Sequence, residues 1–263
     1  MAKTVYSQQE SKNHGYYGIA LTTEEIETHF PHEVLNKLKD AEGTFDLVST
    51  FSNSLSLTGF VASEILTEIF TISSTNTEWR VGEAFAEFFL ESHEGARFYW
   101  NEIRDQRNIN SNKTGADLVG FIDLEGNIVF LFGEIKTSND PSHPPQVLYG
   151  QTGMIKQLED LLDENQKVFA LIRYLGTKAV LYGATHPFRK DYESALKNFM
   201  DDQSNFYLFG ILVRDTSPDE RDLKSRYKRL KAKIDKLPGL QLKALYIPVK
   251  QEQWVTIVNS GNE

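Results

Sequence analysis

The stretch GADLVGFIDLEGNIVFLFGEIK, residues 115–136, decides how the centre of this chain folds. Two runs rich in β-branched and aromatic residues, 117–123 and 128–136, are separated by Leu-Glu-Gly-Asn. This pattern predicts a β-hairpin that turns at Glu125 and Gly126. The alternative is a three-residue loop with a bulge at Gly126, which would shift the pairing of the two strands by one residue.

The two-residue turn would bring three charged side chains to one face of the hairpin. If Leu124 faces Asn127, Asp117 lies opposite Glu134, with Cβ atoms ~5 Å apart, and Lys136 leaves the same face. Two carboxylates at that distance repel by roughly 1 kcal/mol in water and ~4 kcal/mol at an effective dielectric of 20. A divalent cation removes this penalty, and Mg²⁺ accepts carboxylates and water as ligands. The alternative interpretation is an exposed strand end, where Glu134 and Lys136 are simply solvated.

Helices predicted on either side of the hairpin add two candidates. Residues 78–92 have the apolar spacing of a helix, and Glu83 near its start is a candidate for an additional metal-site carboxylate. Residues Gln146 to Leu162 predict a second helix, introduced by proline. Within it, Gln151 is the first candidate to reach a phosphate or an attacking water. For both residues the alternative is ordinary helix surface.

The order of these elements resembles that of the PD-(D/E)xK nuclease superfamily in its RecB-like variant. The resemblance covers roughly residues 77–165, and it departs from the family pattern at Ala116, where the family has a proline. The features that carry it are, in chain order, a helix with Glu83, the motif Gly115-x-Asp117, the motif Glu134-x-Lys136 and a helix with Gln151.

The resemblance implies a function and a set of roles. It implies a magnesium-dependent deoxyribonuclease, with Mn²⁺ as a substitute for Mg²⁺, in which a metal-bound water attacks a DNA phosphodiester. Asp117, Glu134 and the backbone carbonyl of Ile135 would hold the metal. Lys136 would position or activate the nucleophile.

Size and element order are most similar to the HamA-type nuclease subunits of the Hachiman anti-phage defence systems, which act with a helicase. The context GEIKTS at 133–138 adds to this similarity. It implies an effector nuclease of bacterial antiviral defence that is controlled by a helicase partner. Two alternatives remain: a restriction or repair nuclease of the same superfamily that acts alone, and a non-catalytic nuclease fold that serves as a DNA- or protein-binding adaptor.

Composition excludes several other kinds of protein. The chain of 263 residues has no cysteine, so it forms neither a disulfide nor a thiolate zinc site. It lacks an apolar signal segment and any run near the ~18 apolar residues of a membrane span, which predicts a soluble, cytoplasmic protein without a membrane partner. No Gly-x-x-x-x-Gly-Lys-Ser/Thr loop occurs, so we expect no ATP to be bound by this chain in the P-loop manner.

The net charge of −9 is unusual for a protein that binds DNA on its own. Residues 221–236 nevertheless carry eight Lys or Arg against two Asp, in an amphipathic helical pattern with a basic outer face. That face could follow a DNA backbone or bind an acidic partner, and the alternative is a solvated helix. Because the rest of the chain is acidic, we expect DNA to reach the site through a partner. The candidate DNA-binding residues are Lys224, Arg226, Lys228, Arg229, Lys231 and Lys233.

The remaining pattern predicts an α/β fold, with a mixed central β-sheet flanked by helices on both faces, as in restriction-endonuclease-like cores. Residues 1–75 are predicted to be an N-terminal elaboration of unknown role, and residues 76–263 the nuclease core, including the basic helix. Further predicted elements are a helix from Thr58 to Phe70 and strands at Ala96–Trp100, 168–174, 177–184, 205–214 and Leu240–Val249.

Overall fold

The computed structural model describes residues 2–56, 63–70, 76–105, 115–234 and 236–262. Seven strands form one mixed sheet. In chain order they are β1 (Lys3–Ser11), β2 (His14–Ala20), β3 (Ala96–Arg97), β4 (Leu118–Leu124), β5 (Asn127–Ser138), β6 (Phe206–Arg214) and β7 (Gly239–Tyr246).

The strand order across the sheet is β1-β2-β7-β6-β5-β4-β3. Strands β2, β7, β6 and β5 run parallel to one another and form the centre. The outer strands β1, β4 and β3 pair antiparallel. The predicted α/β fold with a mixed central sheet is therefore confirmed.

Helices cover both faces of the sheet. They are α1 (Thr23–His29), α2 (Leu35–Lys39), α3 (Ala41–Ser56), α4 (Ser63–Phe70), α5 (Glu78–Glu94), α6 (Met154–Asp163), α7 (Asn165–Ala179), α8 (Pro187–Asp201), α9 (Lys224–Lys231) and α10 (Gln251–Asn259). None of the helices in the described ranges is long and apolar enough to cross a membrane.

Alternation of side chains along the strands gives two apolar cores, one on each face. The face that carries Phe130 and Phe132, here called the front face, packs against α6, α7, α8 and α9. The face that carries Leu131 and Ile135, called the back face, packs against α1, α2, α5 and α10. Because β6 is buried along its whole length, its sequence from Phe206 to Val213 is a continuous apolar run rather than an alternating one. Strand β7 is equally buried but carries Gln241 and Lys243.

Several sequence predictions match this architecture closely. The strands predicted at 205–214 and Leu240–Val249 correspond to β6 and β7, and the helix predicted at 78–92 corresponds to α5. In each case a long apolar run or a repeated apolar spacing of three and four residues defines the element, and these are the strongest local signals.

The strands predicted at 168–174 and 177–184 are wrong. Residues 165–179 form the single helix α7, and the chain turns directly after it. The buried side chains of α7 are Val168, Leu171, Ile172, Leu175 and Ala179, which recur every three or four residues. This helical period outweighs the content of β-branched and aromatic residues on which the strand prediction depended.

Other predicted boundaries need correction. The first core strand, predicted at Ala96–Trp100, pairs only at Ala96–Arg97. The basic helix predicted at 221–236 is shortened to α9, preceded by a 3₁₀ turn at Glu220–Asp222. Of the helix predicted from Thr58 to Phe70, α4 accounts for the second part, and residues 58–62 lie outside the described residues.

The N-terminal region is part of the main sheet. Strand β2 pairs in parallel with β7 along its whole length, from His14 opposite Leu240 to Ala20 opposite Tyr246. Residues 1–75, predicted as an elaboration outside the core, therefore contribute two strands to the central sheet. The polar sequence of β1, whose side chains are mostly exposed, explains why no strand was predicted there.

Candidate active site

The hairpin of β4 and β5 has the predicted register. Pairing runs without a bulge from Leu124 opposite Asn127 to Leu118 opposite Gly133. Glu125 and Gly126 have φ angles of 58° and 91°. Positive φ at both central residues is typical of the two-residue type I′ turn, so the register shifted by one residue is excluded.

Asp117 lies at the point where the chain leaves this ladder. Strand β4 begins at Leu118, and the carboxylate of Asp117 accepts a hydrogen bond of 3.0 Å from the backbone N–H of Ile135. The side chain thus takes the place of the backbone acceptor that a longer β4 would supply. Since the N–H and C=O of one strand residue point to the same side, the carbonyl of Ile135 points toward Asp117 as well.

Three of the predicted site residues come together here. The Nζ of Lys136 lies 3.2 Å from Oε2 of Glu134 and 3.6 Å from Oδ2 of Asp117. Glu134 is 2 % exposed, whereas Asp117 and Lys136 are partly exposed. The cluster therefore has a buried acid at its base and a carboxylate and an ammonium group at its opening.

The electrostatics of the cluster are dominated by burial. Desolvation and then the nearby negative charge of Asp117 raise the pKa of Glu134 to about 9, although the positive charge of Lys136 opposes them. In the absence of a metal ion, Glu134 therefore holds a proton at neutral pH. An additional cation next to the two carboxylates would favour the ionised form of Glu134.

A glycine on the neighbouring strand explains why Glu134 is buried. Gly210 of β6 stands beside Glu134 in the parallel ladder. A Cβ atom at Gly210 would lie 2.9 Å from Cδ1 of Leu158 and 3.2 Å from Sδ of Met154. The first turns of α6, together with Leu242 of β7, therefore occupy the space that a side chain at position 210 would fill, next to Glu134 in the sheet.

Gln151 is not on a helix, contrary to prediction. The segment predicted as one helix, Gln146–Leu162, begins with a 3₁₀ turn at Gln146–Leu148, and α6 starts only at Met154. The chain between them turns at Gly150, which has a φ angle of 76°. Gln151 is an exposed residue of this turn, three positions before α6.

Glu83 is not brought to Asp117 and Glu134. Its helix α5 packs on the back face, whereas Glu134 projects from the front face beside Phe132. Glu83 instead lines a small pocket with Lys37 and other side chains of α2 and α5. Within the described ranges, no three or more His, Cys, Asp or Glu side chains are arranged to hold a metal ion. Among these described residues, the acids of the cluster are Asp117 and Glu134.

Most of the predicted DNA-binding side chains are paired with acids of the chain itself. Arg226 instead stacks on Tyr149, with its guanidinium carbon 4.3 Å from the ring centroid. The ion pairs are Lys224 with Glu220 at 2.9 Å, Arg229 with Glu159 at 2.5 Å, Lys231 with Glu10 at 2.6 Å and Lys233 with Asp163 at 2.6 Å. The surface of α9 is therefore much less positive than its sequence indicates.

Sequence reasoning missed one buried polar network at the end of β6. Arg214, at the end of β6, is fully buried and forms a 2.6 Å ion pair with Asp222. It also donates to the backbone carbonyls of Asp140 and Ser142, in the loop that follows β5. The sequence signal for this network is the arginine that directly follows the apolar run 206–213. A charge at the end of a buried strand needs a buried partner, so it predicts an ion pair there.

Comparison of the chain with protein-family models, with curated proteins and with solved structures finds no match.

Proposed function

We propose that this chain is a metal-dependent nuclease that hydrolyses DNA phosphodiesters, with a site of the PD-(D/E)xK type. The observation that carries the proposal is the contact between Asp117, Glu134 and Lys136 at the end of a hairpin. A hairpin with a purely structural role gains nothing from two touching carboxylates, one of which is buried. Their proximity raises the free energy of the folded protein unless a proton or a cation compensates for it.

The side chains present are chemically suited to Mg²⁺. Mg²⁺ is commonly held by one or two carboxylates, with water and substrate phosphate as the other ligands. Asp117 and Glu134 would supply the carboxylates, and the carbonyl of Ile135 a further oxygen. A divalent cation bound there would stabilise the charge that develops on the phosphate and lower the pKa of a nearby water.

The remaining groups of the cluster have their own roles. The ammonium group of Lys136 contributes positive charge at the partly exposed opening of the cluster, where a phosphate would approach. The hydrogen bond from the Ile135 N–H fixes the orientation of Asp117. The side chains of Met154 and Leu158 pack above Gly210, next to Glu134 in the sheet, where they would keep water away and strengthen the electrostatic interactions of the buried acid.

We further propose that the nuclease acts with a partner, as a helicase-controlled effector of bacterial anti-phage defence. The support is the charge distribution: the net charge is −9, and four of the six candidate DNA-binding side chains form ion pairs with acids of the chain. A nuclease with so little free positive charge depends on another protein to bring DNA to it. An isolated nuclease that cuts efficiently would instead be a restriction or repair enzyme.

The test is cleavage of supercoiled and linear DNA with Mg²⁺ or Mn²⁺, with and without any helicase that is encoded next to the gene. The wild type should cut, and Asp117→Asn and Glu134→Gln should abolish cutting. Lys136→Met should slow it by about 10²-fold, as expected for the loss of one electrostatic contact to the transition state. Glu125→Gln, at the exposed turn of the same hairpin, is the matched control and should cut normally.

Two results would contradict the proposal. Cutting that persists in the Glu134→Gln/Lys136→Met double variant would show that the active site lies elsewhere. A folded wild type that cuts under none of these conditions would indicate a non-catalytic nuclease fold. Cutting that does not change when the helicase is added would refute only the partner.

A further inference from the structure

A second cavity lies on the back face, between β2, β7 and the last turns of α5. Its volume is about 410 Å³, within the range of about 300–1,000 Å³ that is typical of small-molecule sites. The cluster of Asp117, Glu134 and Lys136 opens on the front face, so this cavity is separate from the proposed nuclease site. Nothing in the proposed nuclease function makes use of it.

The walls of the cavity suit a flat ligand. Tyr17 and Ile19 of β2 line one side, and Phe89 and His93 of α5 line another. The ring of His93 is stacked on that of Phe89, with centroids 4.4 Å apart and planes 12° apart. Aromatic side chains presented in this way bind planar rings by stacking.

A buried ion pair forms the polar part of the wall. Lys243 is 3 % exposed, and its Nζ lies 2.8 Å from Oε1 of Glu94 and 4.5 Å from the ring centroid of Tyr17. Burial lowers the pKa of Lys243 below its ordinary value, although Glu94 opposes this shift. An ammonium group has three N–H donors, so two remain after the bond to Glu94. The wall thus presents a hydrogen-bond donor directly beside an acceptor.

Gln241 supplies a second polar group two residues before Lys243 on β7. It is 5 % exposed and lines the cavity, and its Nε2 donates to the backbone carbonyl of Lys12. Its Oε1 is buried and has no hydrogen-bond partner among the residues that the structure describes. A buried amide oxygen without a partner raises the free energy of the protein, and a ligand N–H or O–H would remove this cost.

We propose that this cavity binds a guanine mononucleotide. The O6 atom of guanine accepts from the ammonium group of Lys243, while its N1–H and N2–H groups donate to the carboxylate of Glu94. Adenine and cytosine each have one amino group beside a ring-nitrogen acceptor, so they offer a carboxylate only that one donor group. Uracil offers it only N3–H. Guanine alone therefore uses both oxygens of Glu94.

The mouth of the cavity suits the phosphate group. Lys12 lines this part of the cavity, and it forms an exposed ion pair with Glu125 at 2.5 Å. Exposed pairs of this kind stabilise a protein by about 0–1 kcal/mol, so a phosphate displaces Glu125 at little cost. Base and phosphate are thus recognised by different groups of the cavity.

Isothermal titration of the full chain with GMP, AMP, CMP and UMP tests the proposal. The titrations are made in EDTA, so that no metal ion holds a phosphate at the front face. We expect saturable binding of GMP with one site per chain. The three other nucleotides should bind about tenfold more weakly or worse, since a good bidentate contact to a base is worth about 1–3 kcal/mol.

Paired variants show where binding takes place. Glu94→Gln/Lys243→Met removes both charges together, so it leaves no unpaired buried charge, and it should weaken GMP binding about tenfold or more. Lys37→Met/Glu91→Gln removes an ion pair that joins α2 to the same helix α5 outside the cavity, and it should bind GMP normally. Circular dichroism checks that both double variants are folded.

Three results would overturn the proposal. They are no GMP binding at millimolar concentration, equal binding of all four nucleotides, and unchanged GMP binding by Glu94→Gln/Lys243→Met. None of them bears on DNA cleavage, because the titrations contain no metal ion and the varied residues lie away from Glu134.

Discussion

At the level of single residues, the ionisation of Glu134 affects the stability of this protein. Its pKa is raised from 4.5 to about 9, so between these values the folded state holds a proton that the unfolded state has released. The free energy of unfolding therefore falls as pH rises through this window. Glu134→Gln cannot titrate and keeps the shape of the protonated acid. We expect the variant to be more stable than wild type at pH 8, by about 2–4 kcal/mol, and the difference to shrink toward pH 5.

Urea unfolding at pH 5, 6.5 and 8 in EDTA measures this effect. Added Mg²⁺ should stabilise the wild type at pH 8 and leave Glu134→Gln nearly unchanged, because a metal ion binds the carboxylate and not the amide. Asp123→Asn, at the other end of the same hairpin, is the control. Its difference in stability from the wild type should not depend on pH or Mg²⁺ in this way. A Glu134→Gln variant that is less stable than wild type at every pH would contradict the raised pKa.

At the level of elements, two glycines allow close packing around the site, one on β5 and one on β6. A Cβ at Gly133 would lie 2.2 Å from the backbone oxygen of Phe209, which cannot move without breaking the sheet. At Gly210 the nearest atoms are ends of flexible side chains. We expect Gly210→Ala to lower the free energy of unfolding by about 1–3 kcal/mol, and Gly133→Ala to lower it by more. Gly183→Ala, with nothing within 4 Å, is the control and should be nearly neutral.

Urea unfolding of the three glycine variants in the same buffer measures their free energies of unfolding and so ranks their stability. If Gly133→Ala were as stable as Gly183→Ala, the close contact between the two strands would be absent. A related measurement is Mg²⁺ affinity, which should fall in Gly210→Ala, since a displaced α6 would admit water beside Glu134.

The same elements show which parts of the fold were predictable. Asp117, Glu134 and Lys136 could be predicted to meet because one two-residue turn sets their register, and turn chemistry is a local property. Gly210 beside Glu134 could not, since the parallel pairing of β5 with β6 joins residues far apart in sequence. The partners of α9 and the position of Glu83 on the opposite face likewise depend on tertiary packing. The strands predicted within α7 failed for a different reason, because the period of its buried residues was overlooked.

At the level of the whole molecule, one buried polar network joins distant parts of the chain. Arg214 pairs with Asp222, and the hydroxyl of Tyr246 donates to the same carboxylate at 2.8 Å. Tyr246 in turn contacts Tyr6 of the outer strand β1, with hydroxyl oxygens 2.7 Å apart. We expect Arg214→Met to lower the free energy of unfolding by about 3–5 kcal/mol, because it leaves a buried carboxylate without its cation.

The double variant Arg214→Met/Asp222→Asn separates the effect of the unpaired charge from that of the lost hydrogen bonds. It removes both charges, so it should recover part of the stability lost in Arg214→Met. Arg189→Met, which breaks the surface pair with Glu193, is the control and should cost less than about 1 kcal/mol. A double variant as unstable as Arg214→Met would show that the lost hydrogen bonds, and not the unpaired charge, determine the effect.

The charge balance of the whole molecule makes a prediction about DNA. Arg229 and Lys233 are held by Glu159 and Asp163, so these cations release few counterions when DNA approaches. We expect the isolated chain to bind DNA weakly and with little dependence on salt. Glu159→Gln/Asp163→Asn frees both cations and should tighten binding, with the slope of log K against log salt steeper by about 2.

Fluorescence anisotropy with a labelled duplex over a range of salt concentrations measures both quantities. Glu24→Gln/Glu27→Gln removes the same charge from the exposed surface of α1, so it separates the release of two particular cations from a general fall in negative charge. If both double variants tighten binding equally, only net charge matters and α9 does not contact DNA. If the wild type already binds tightly with a steep slope, the acids around α9 do not restrain it, and the requirement for a partner to deliver DNA is refuted.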